Sequence, residues 1–243
     1  MSIVEKRNTK TGQNQQTLTV NRVEHKFVIS TADTVQLASR LPLLLQEDPH
    51  NGSRGYMVRS LYFDTPDNKD FYAKEDGLFD RQKIRLRIYS LEDTKIKLEC
   101  KSKKGEFQKK TSIILTRQQA QELIKGNYGI LLEIGTEDSV EMYSRMLGYK
   151  PAVIVQYNRK AYFWHTNETR ITIDSDICGC ETDFDLFSDK LPLTPAIHPN
   201  SRVLEVKYSG KLEPSIARLL GGYDRTQTSF SKYNNTRRIR SML

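Results

Sequence analysis

The sequence predicts an α+β, mainly β fold in which antiparallel strands close into a barrel or curved sheet. Two observations predict it. Eight segments alternate apolar and polar residues with period two, the mark of half-buried strands: roughly 20–29, 57–63, 82–90, 94–103, 107–115, 151–163, 169–176 and 202–208. Helical spacing is confined to four stretches, too few to cover both faces of a parallel sheet.

Taken in order, the first 17 residues are polar and lack the apolar stretch of a signal peptide. They read as a flexible arm (1–17). After the first strand, Thr31 to Leu45 reads as a helix capped by Ser30 or Thr31. Thr116 to Lys125 is a second, capped by Thr116, Asp138 to Leu147 a third, and Pro214 to Leu220 a short fourth. No Pro-, Gly- or Ser-rich linker divides the rest, so residues 18–243 read as one domain.

Composition narrows the function classes. The 243 residues carry a net charge of +8, which implies an anionic partner: nucleic acid, phosphate compounds or an acidic membrane surface. Three sparse cysteines, Cys100, Cys178 and Cys180, argue against a disulfide framework and for a reducing compartment. Cys178-Gly179-Cys180 lacks two further ligands nearby and is not read as a zinc site. No apolar run approaches the roughly 20 residues of a membrane span. The expected location is the cytoplasm.

The polar faces of the strands are chemically selected. Lys83, Arg85, Arg87 and Tyr89 share one face, opposite Ile84, Leu86 and Ile88. Lys95, Lys97, Glu99, Lys101 and Lys103 share another, opposite Ile96, Leu98 and Cys100. Arg22, Glu24 and Lys26 oppose Val23, His25 and Phe27. Arg170, Thr172, Asp174 and Asp176 oppose Ile171 and Ile173, and Glu205 and Lys207 share a face with Val203. Any one of these could be a solvated outer face. Together they repeat the cost of like charges at i and i+2, which an anion would offset. The expected inward set is therefore basic: Arg22, Lys26, Arg59, Arg85, Arg87, Lys97, Lys101, Arg159, Arg170, Lys207 and Lys232, with the acids Glu24, Glu99, Asp174 and Glu205. Arg and Lys donors suit phosphate oxygens. Glu24 and Glu205 are candidate ligands for a hard divalent cation such as Mg²⁺ or Mn²⁺. Glu99 reads equally as an ion-pair partner orienting Lys97 or Lys101.

Arg22-Val-Glu24-His-Lys26 resembles the E-x-E-x-K strand of the triphosphate tunnel metalloenzymes, the CYTH-like superfamily. Leu61-Tyr62-Phe63-Asp64-Thr65 is similar to the segment after its first helix. Arg85-Leu-Arg87-Ile-Tyr89, Lys97-Leu-Glu99-Cys-Lys101, Tyr157-Asn-Arg159, Arg170-Ile-Thr-Ile-Asp174, Leu204-Glu205-Val-Lys207-Tyr208 and Ser229-Phe-Ser231-Lys232-Tyr233 are similar to strands of its VTC branch, which holds the catalytic domain of the vacuolar transporter chaperone complex. The match runs in order over residues 22 to 233.

The resemblance implies an eight-stranded antiparallel triphosphate tunnel barrel with a few flanking helices. It implies a metal-dependent polyphosphate polymerase that moves the γ-phosphate of ATP onto a growing polyphosphate chain. In that scheme Lys26, Arg85, Arg87 and Lys207 are catalytic. The resemblance implies that Lys97, Arg159 and Lys232 also hold phosphates and that Glu205 binds Mn²⁺ or Mg²⁺; the residues themselves add Arg22, Arg59, Lys101, Arg170 and Ser231 as phosphate-binding and Glu24 as a second metal ligand. The partners are ATP and inorganic polyphosphate, with no nucleic acid expected and association with a separate membrane protein left open. Arg22 stands where the first Glu of E-x-E-x-K would be, which favours polymerisation over hydrolysis. The competing functions are a triphosphatase or nucleotide phosphohydrolase of the same fold, and a polyphosphate binder without chemistry. His25 reads as packing, Trp164 as core or rim with adenine stacking the alternative, and Arg237, Arg238 and Arg240 as a solvated basic tail.

Overall fold

The computed structural model describes residues 2–5, 20–105, 107–222 and 228–240, with side chains described for 23–105, 107–221 and 228–238. The chain order is β1 (Ser2–Glu5), β2 (Val20–Ser30), α1 (Thr31–Arg40), β3 (Gln46–Glu47), β4 (Tyr56–Asp64), α2 (Lys69–Glu75), β5 (Arg81–Ile88), β6 (Lys95–Lys104) and β7 (Phe107–Thr116). Then follow α3 (Arg117–Ile124), α4 (Ile130–Ile134), α5 (Glu137–Met146), β8 (Lys150–Trp164), β9 (Thr169–Cys180), β10 (Thr194–Pro195), β11 (Ser201–Ser209), α6 (Pro214–Leu219) and α7 (Lys232–Arg240).

All eight anticipated strands are present as long strands: β2, β4, β5, β6, β7, β8, β9 and β11. Their pairings run β4–β5–β6–β7, then through β1 to β2, then β11, β9, β8 and back to β4. Every pairing in this series is antiparallel except β1–β7, which is parallel. β1 falls within the expected flexible arm. Ser2–Glu5 instead pairs with Val20–Val23 on one side and with Phe107 and Gln108 on the other, so its backbone groups bridge β2 to β7. Residues 6–19 lie outside the described residues.

Period two sorts the side chains onto two faces. The outer faces of β4 to β7 place Leu61, Phe63, Ile84, Leu86, Ile96, Leu98, Ile113 and Leu115 in one apolar cluster, covered by Ala120 and Leu123 of α3, Leu131 of α4, and Met142 and Met146 of α5. The outer faces of β2, β9 and β11 place Ile29, Ile171, Ile173, Leu204 and Val206 in a second cluster, covered by Leu37 of α1 and Ile216 of α6. Each fully buried aliphatic side chain contributes about 1.5–3 kcal/mol, so the helices hold the strands with the opposite faces turned inward.

The helix ends follow local chemistry. Ser30 caps α1 in a reciprocal box with Asp33, and Thr116 caps α3 with Gln119 in the same way. α1 stops at Arg40 rather than Leu45. Pro42 lacks an N–H to continue the ladder, and Leu41–Leu43 tightens into a 3₁₀ turn.

The Ser229–Tyr233 segment, similar to a strand of the family, is the entry to helix α7. That helix packs against the inward faces of the strands. Phe230 and Tyr233 join Val58, Tyr62, Val155, Tyr157 and Val203 in a third apolar cluster. The helix approaches β9 so closely that a Cβ on Gly179 would stand 2.0 Å from Thr236 Cγ2 and 2.8 Å from the Ile154 carbonyl oxygen. Asp64, fully buried at the end of β4, fixes the helix from the other side. Its carboxylate accepts backbone N–H groups of Thr65 (2.8 Å), Asp70 (2.9 Å) and Phe71 (3.1 Å), and the Tyr233 hydroxyl. One side chain therefore ties β4, the start of α2 and α7 together. Asp64→Ala leaves these buried donors unmatched, each worth about 1–3 kcal/mol. It is expected to lower the unfolding free energy by several kcal/mol in a denaturant titration, against about 1 kcal/mol for Tyr233→Phe.

Candidate active site: a basic bore

Strand register builds the bore row by row. On one wall Arg85 stands opposite Glu99 and Tyr62, and Arg87 opposite Lys97 and Ser60. Lys83 stands opposite Lys101, and Lys101 opposite Lys110. On the other wall Lys26 faces Glu205, which faces Thr172, while Glu24 faces Lys207, which faces Arg170. Arg159 stands opposite Asp174 and Tyr56. The walls look at each other. Lys26 on β2 and Lys83 on β5 are not neighbours in the sheet, yet Lys26 helps push the Lys83 pKa down, and Arg85 on β5 feels Tyr157 on β8.

Three carboxylate centres organise the cations. Lys26 lies 2.9 Å from Glu24 and 4.0 Å from Glu205, and Lys207 lies 3.6 Å from Glu24 and 2.6 Å from Glu205. Burial opposes the Glu205 charge, but Lys207 and Lys26 outweigh it and hold its pKa well below the usual range. Burial and Glu205 both push Glu24 up, and the same lysines bring it below its ordinary value. Burial alone would lower Lys26, yet Glu205 and Glu24 raise it. At the second centre, Asp174 accepts Arg159 Nε at 2.7 Å and Nη2 at 2.8 Å, and meets Lys232 at 2.5 Å. At the third, Glu99 meets Arg85 (2.8 Å), Arg87 (3.7 Å) and Lys110 (2.5 Å). Against the burial cost, Arg85 and Arg87 hold Glu99 at about 2. Glu99 is thus an ion-pair partner, but of these three cations rather than of Lys97 or Lys101.

Nine of the expected basic residues share the inward face: Lys26, Arg85, Arg87, Lys97, Lys101, Arg159, Arg170, Lys207 and Lys232. Arg59 does not. It lies on the outer face of β4 with Leu61 and Phe63, and is buried. Its Nε donates to Gln156 Oε1 (2.7 Å), and its Nη1 donates to the carbonyls of Leu186 (3.0 Å) and Ser188 (2.6 Å). Its role here is to tie the 186–188 loop to the barrel wall. The side chain of Arg22 lies outside the described residues. The hydroxyl of Ser231 caps α7: it accepts the Asn234 N–H (3.3 Å) and donates to Asn234 Oδ1 (2.8 Å).

Arg237 is packed against the fold rather than solvated, and Arg238 is exposed but ion-paired. Arg237 Nη2 donates to Asn68 Oδ1 (2.7 Å) and its Nε approaches Glu181 (3.5 Å), while Arg238 pairs with Glu75. Arg240's side chain lies outside the described residues. His25 packs as expected, its ring beside Phe27 and its Nε2 3.2 Å from the Tyr208 hydroxyl. Trp164 packs on the outer cluster, away from the bore.

Several bore residues were not among the expected site residues. Lys110 enters through its register with Lys101, and Ser60 and Tyr62 enter by bonding Arg87 (3.1 Å) and Arg85 (3.0 Å). Lys83 donates to Ser231 (2.8 Å) and Asn234 (3.0 Å) at the start of α7. The signal for Lys83 is its place on the Arg85–Arg87 face.

The sequence profile of the VTC domain matches residues 21–240. The chain belongs to the VTC-domain family. No curated protein sequence matches it. Among solved structures, a candidate adenylyl cyclase from Hippeastrum, described as having a dominant triphosphatase activity, superposes with a TM-score of 0.55 at 14% identity, covering 89% of this chain and 95% of that one. A candidate adenylate cyclase from Bacillus halodurans superposes with a TM-score of 0.47 at 13% identity, covering 86% and 93%. The first shares the fold of this VTC domain. Family membership and the basic bore together support an enzyme of polyphosphate or triphosphate chemistry.

Two measurements test the electrostatics of the VTC bore. Among the described residues Lys101 has no ion pair, and burial, only partly offset by Glu24, lowers its pKa. Lys101→Met is expected to melt at or above the wild-type temperature and to lose stabilisation by added tripolyphosphate. Arg59→Met is expected to melt lower, by several degrees, and to keep that stabilisation. Parallel melting curves distinguish the pair.

Lys83 gives a pH signature. Burial, then Lys26 and Lys74, push it from 10.5 down to about 7. Between those values the unfolded chain holds the proton and the folded chain does not, so stability rises with pH in that window and the penalty is fully present below pH 7. The slope for one proton is at most about 1.4 kcal/mol per pH unit. Lys83→Met is expected to flatten the rise in unfolding free energy between pH 7 and 9.

Proposed function

We propose that this VTC domain is a polyphosphate polymerase that transfers the γ-phosphate of ATP to the end of a polyphosphate chain held in the bore. One observation carries the reading. Arg170 Nε and Thr172 Oγ1 are buried on the inward face of β9 with no hydrogen-bond partner among the described residues. A buried donor left unmatched costs about 1–3 kcal/mol. Both sit in register with Lys207 and Glu205, where an anionic oxygen would satisfy them.

Phosphoryl transfer asks the protein for position and charge rather than covalent chemistry. Lys26, Arg85, Arg87 and Lys207 would neutralise the transferring group. Lys97, Lys101, Arg159, Arg170 and Lys232 would hold the chain on either side. The terminal phosphate oxygen is already anionic near neutral pH, so the attacking group needs no general base. Glu24 and Glu205 fit a divalent cation, since such ions take one or two carboxylates and complete their shell with phosphate and water. Mn²⁺ or Mg²⁺ bound there would supply charge neutralisation to the nucleotide phosphates. Lys26 and Lys207 contact these carboxylates, so they would hold the same phosphates from the other side.

Hydrolysis of triphosphate is the second reading. The adjacent Glu24 and Glu205 are compatible with it, because a carboxylate pair serves either reaction. Purified protein incubated with ATP and Mn²⁺ separates the two. Polymerisation yields ADP and a ladder of long phosphate chains on a gel, and hydrolysis yields ADP and orthophosphate with no chain. Glu205→Gln is expected to remove turnover while leaving the melting temperature within a few degrees. Full turnover in that variant would move the metal role to Glu24 or Asp174.

A further inference from the structure

The register that builds the bore also sets two tyrosines side by side on its rim. Tyr56 begins β4 on the inward face, directly opposite Arg159. Tyr89 follows β5 on the face of Arg85 and Arg87, and its N–H is pinned by Asp93 Oδ2 at 2.6 Å. The ring centroids are 6.1 Å apart at 56°. Lys97 Nζ lies 5.2 Å from the centre of the Tyr89 ring, and His50 meets Tyr56 edge-on at 6.3 Å. Tyr89 is 38% exposed, the only aromatic on the Arg85–Arg87 strand face and the one that reaches the surface.

We propose that Tyr89 and Tyr56 form the seat for the base of a nucleoside triphosphate whose phosphates extend into the bore. The proposal rests on the triphosphate reading above and adds what that reading leaves open: which part of the rim takes the nucleoside. Three observations converge. A tyrosine ring offers a stacking face to any base, as in single-strand nucleic-acid sites. The cations next inward, Arg87 and Lys97, stand directly opposite one another, so the phosphate-binding face begins where the aromatic rim ends. Arg159 and Arg170 also act on the Tyr56 hydroxyl, whose pKa burial raises and these two cations pull back. Arg170 carries the unmatched Nε. Base, linker and phosphates thus have consecutive partners along one line. Trp164, the other aromatic candidate, lies on the outer cluster and cannot serve.

Comparing two probes isolates the base seat. ATP carries the base, and inorganic tripolyphosphate carries only the phosphates. Dissociation constants would be measured by calorimetry for wild type, Tyr89→Ala and Tyr89→Phe, with ligand-free melting curves beside them. Tyr89→Ala is expected to weaken ATP about tenfold, the loss of one stacked base, and to leave tripolyphosphate within twofold. Tyr89→Phe keeps the ring and should bind both as wild type does. An equal loss for both ligands in Tyr89→Ala, or no loss for ATP, overturns the base seat while the triphosphate reading stands. Wild type that binds neither ligand overturns the triphosphate reading and this proposal with it.

Discussion

Lys83, Lys101 and Lys110 stand opposite one another on three adjacent strands, and Arg87 stands opposite Lys97. Like charges in direct cross-strand register oppose folding. The barrel wall that carries them is held by what lies behind it. Leu86, Leu98 and Ile113 occupy the outer face of the same three strands, buried under α3 to α5. The inward charge arrangement therefore exists because apolar packing on the outer face sets the register. A slip of one residue would put Arg85 and Lys97 under the helices and Leu86 and Leu98 into the bore. Charge placement and core packing are one constraint, seen from two sides of the same strands.

The carboxylates are too few to neutralise the face, and they are not spread evenly. Asp174 is fully buried between Arg159 and Lys232, so it joins β8, β9 and α7 through one group. Glu99 gathers cations from β5 and β7 across β6. Glu24 and Glu205 instead share the same two lysines, on neighbouring strands. The first two centres lock cations in place, since each acid is outnumbered by its own partners. The third is a balanced two-by-two cluster that an incoming cation and an incoming anion could divide between them. That difference marks Glu24 and Glu205, rather than Asp174 or Glu99, as the exchangeable acids.

Where alternation was chemically selective, the sequence was enough to place a side chain. On β5 and β6 every second residue is charged, on β11 Glu205 and Lys207 are, and all of those named from the motifs face inward. β4 reads Met57-Val-Arg-Ser-Leu-Tyr-Phe63, apolar almost throughout, because both of its faces are covered: one by the outer cluster, the other by Tyr233 and Phe230. A lone arginine in such a run has no parity signal, and Arg59 went to the side where loop carbonyls could receive it. α7 was illegible for a related reason. Its residues are mostly polar, and its tie to the fold is a set of hydrogen bonds to Asp64, Glu75 and Asn68 rather than an apolar stripe. Partners that distant in sequence leave no local pattern.

The same helix explains why a polar C-terminal segment can sit in a charged bore. Its first turn presents Lys232 to Asp174 and Ser231 to Lys83, so it adds one cation and places a hydroxyl against another. An apolar plug would have desolvated Lys83 and Asp174 without replacing their hydrogen bonds, at a cost of several kcal/mol. Tyr233 supplies the apolar part of the contact against Tyr62, with ring centroids 5.1 Å apart, and donates its hydroxyl to Asp64 at the end of β4. Tyr62 in turn bonds Arg85 at 3.0 Å. The position of Arg85, at the centre of the basic wall, is thereby linked through two tyrosines to the buried carboxylate that ends β4. The aspartate of Leu61-Tyr62-Phe63-Asp64-Thr65 therefore supports the bore by holding the helix whose ring backs the residue that orients the arginine.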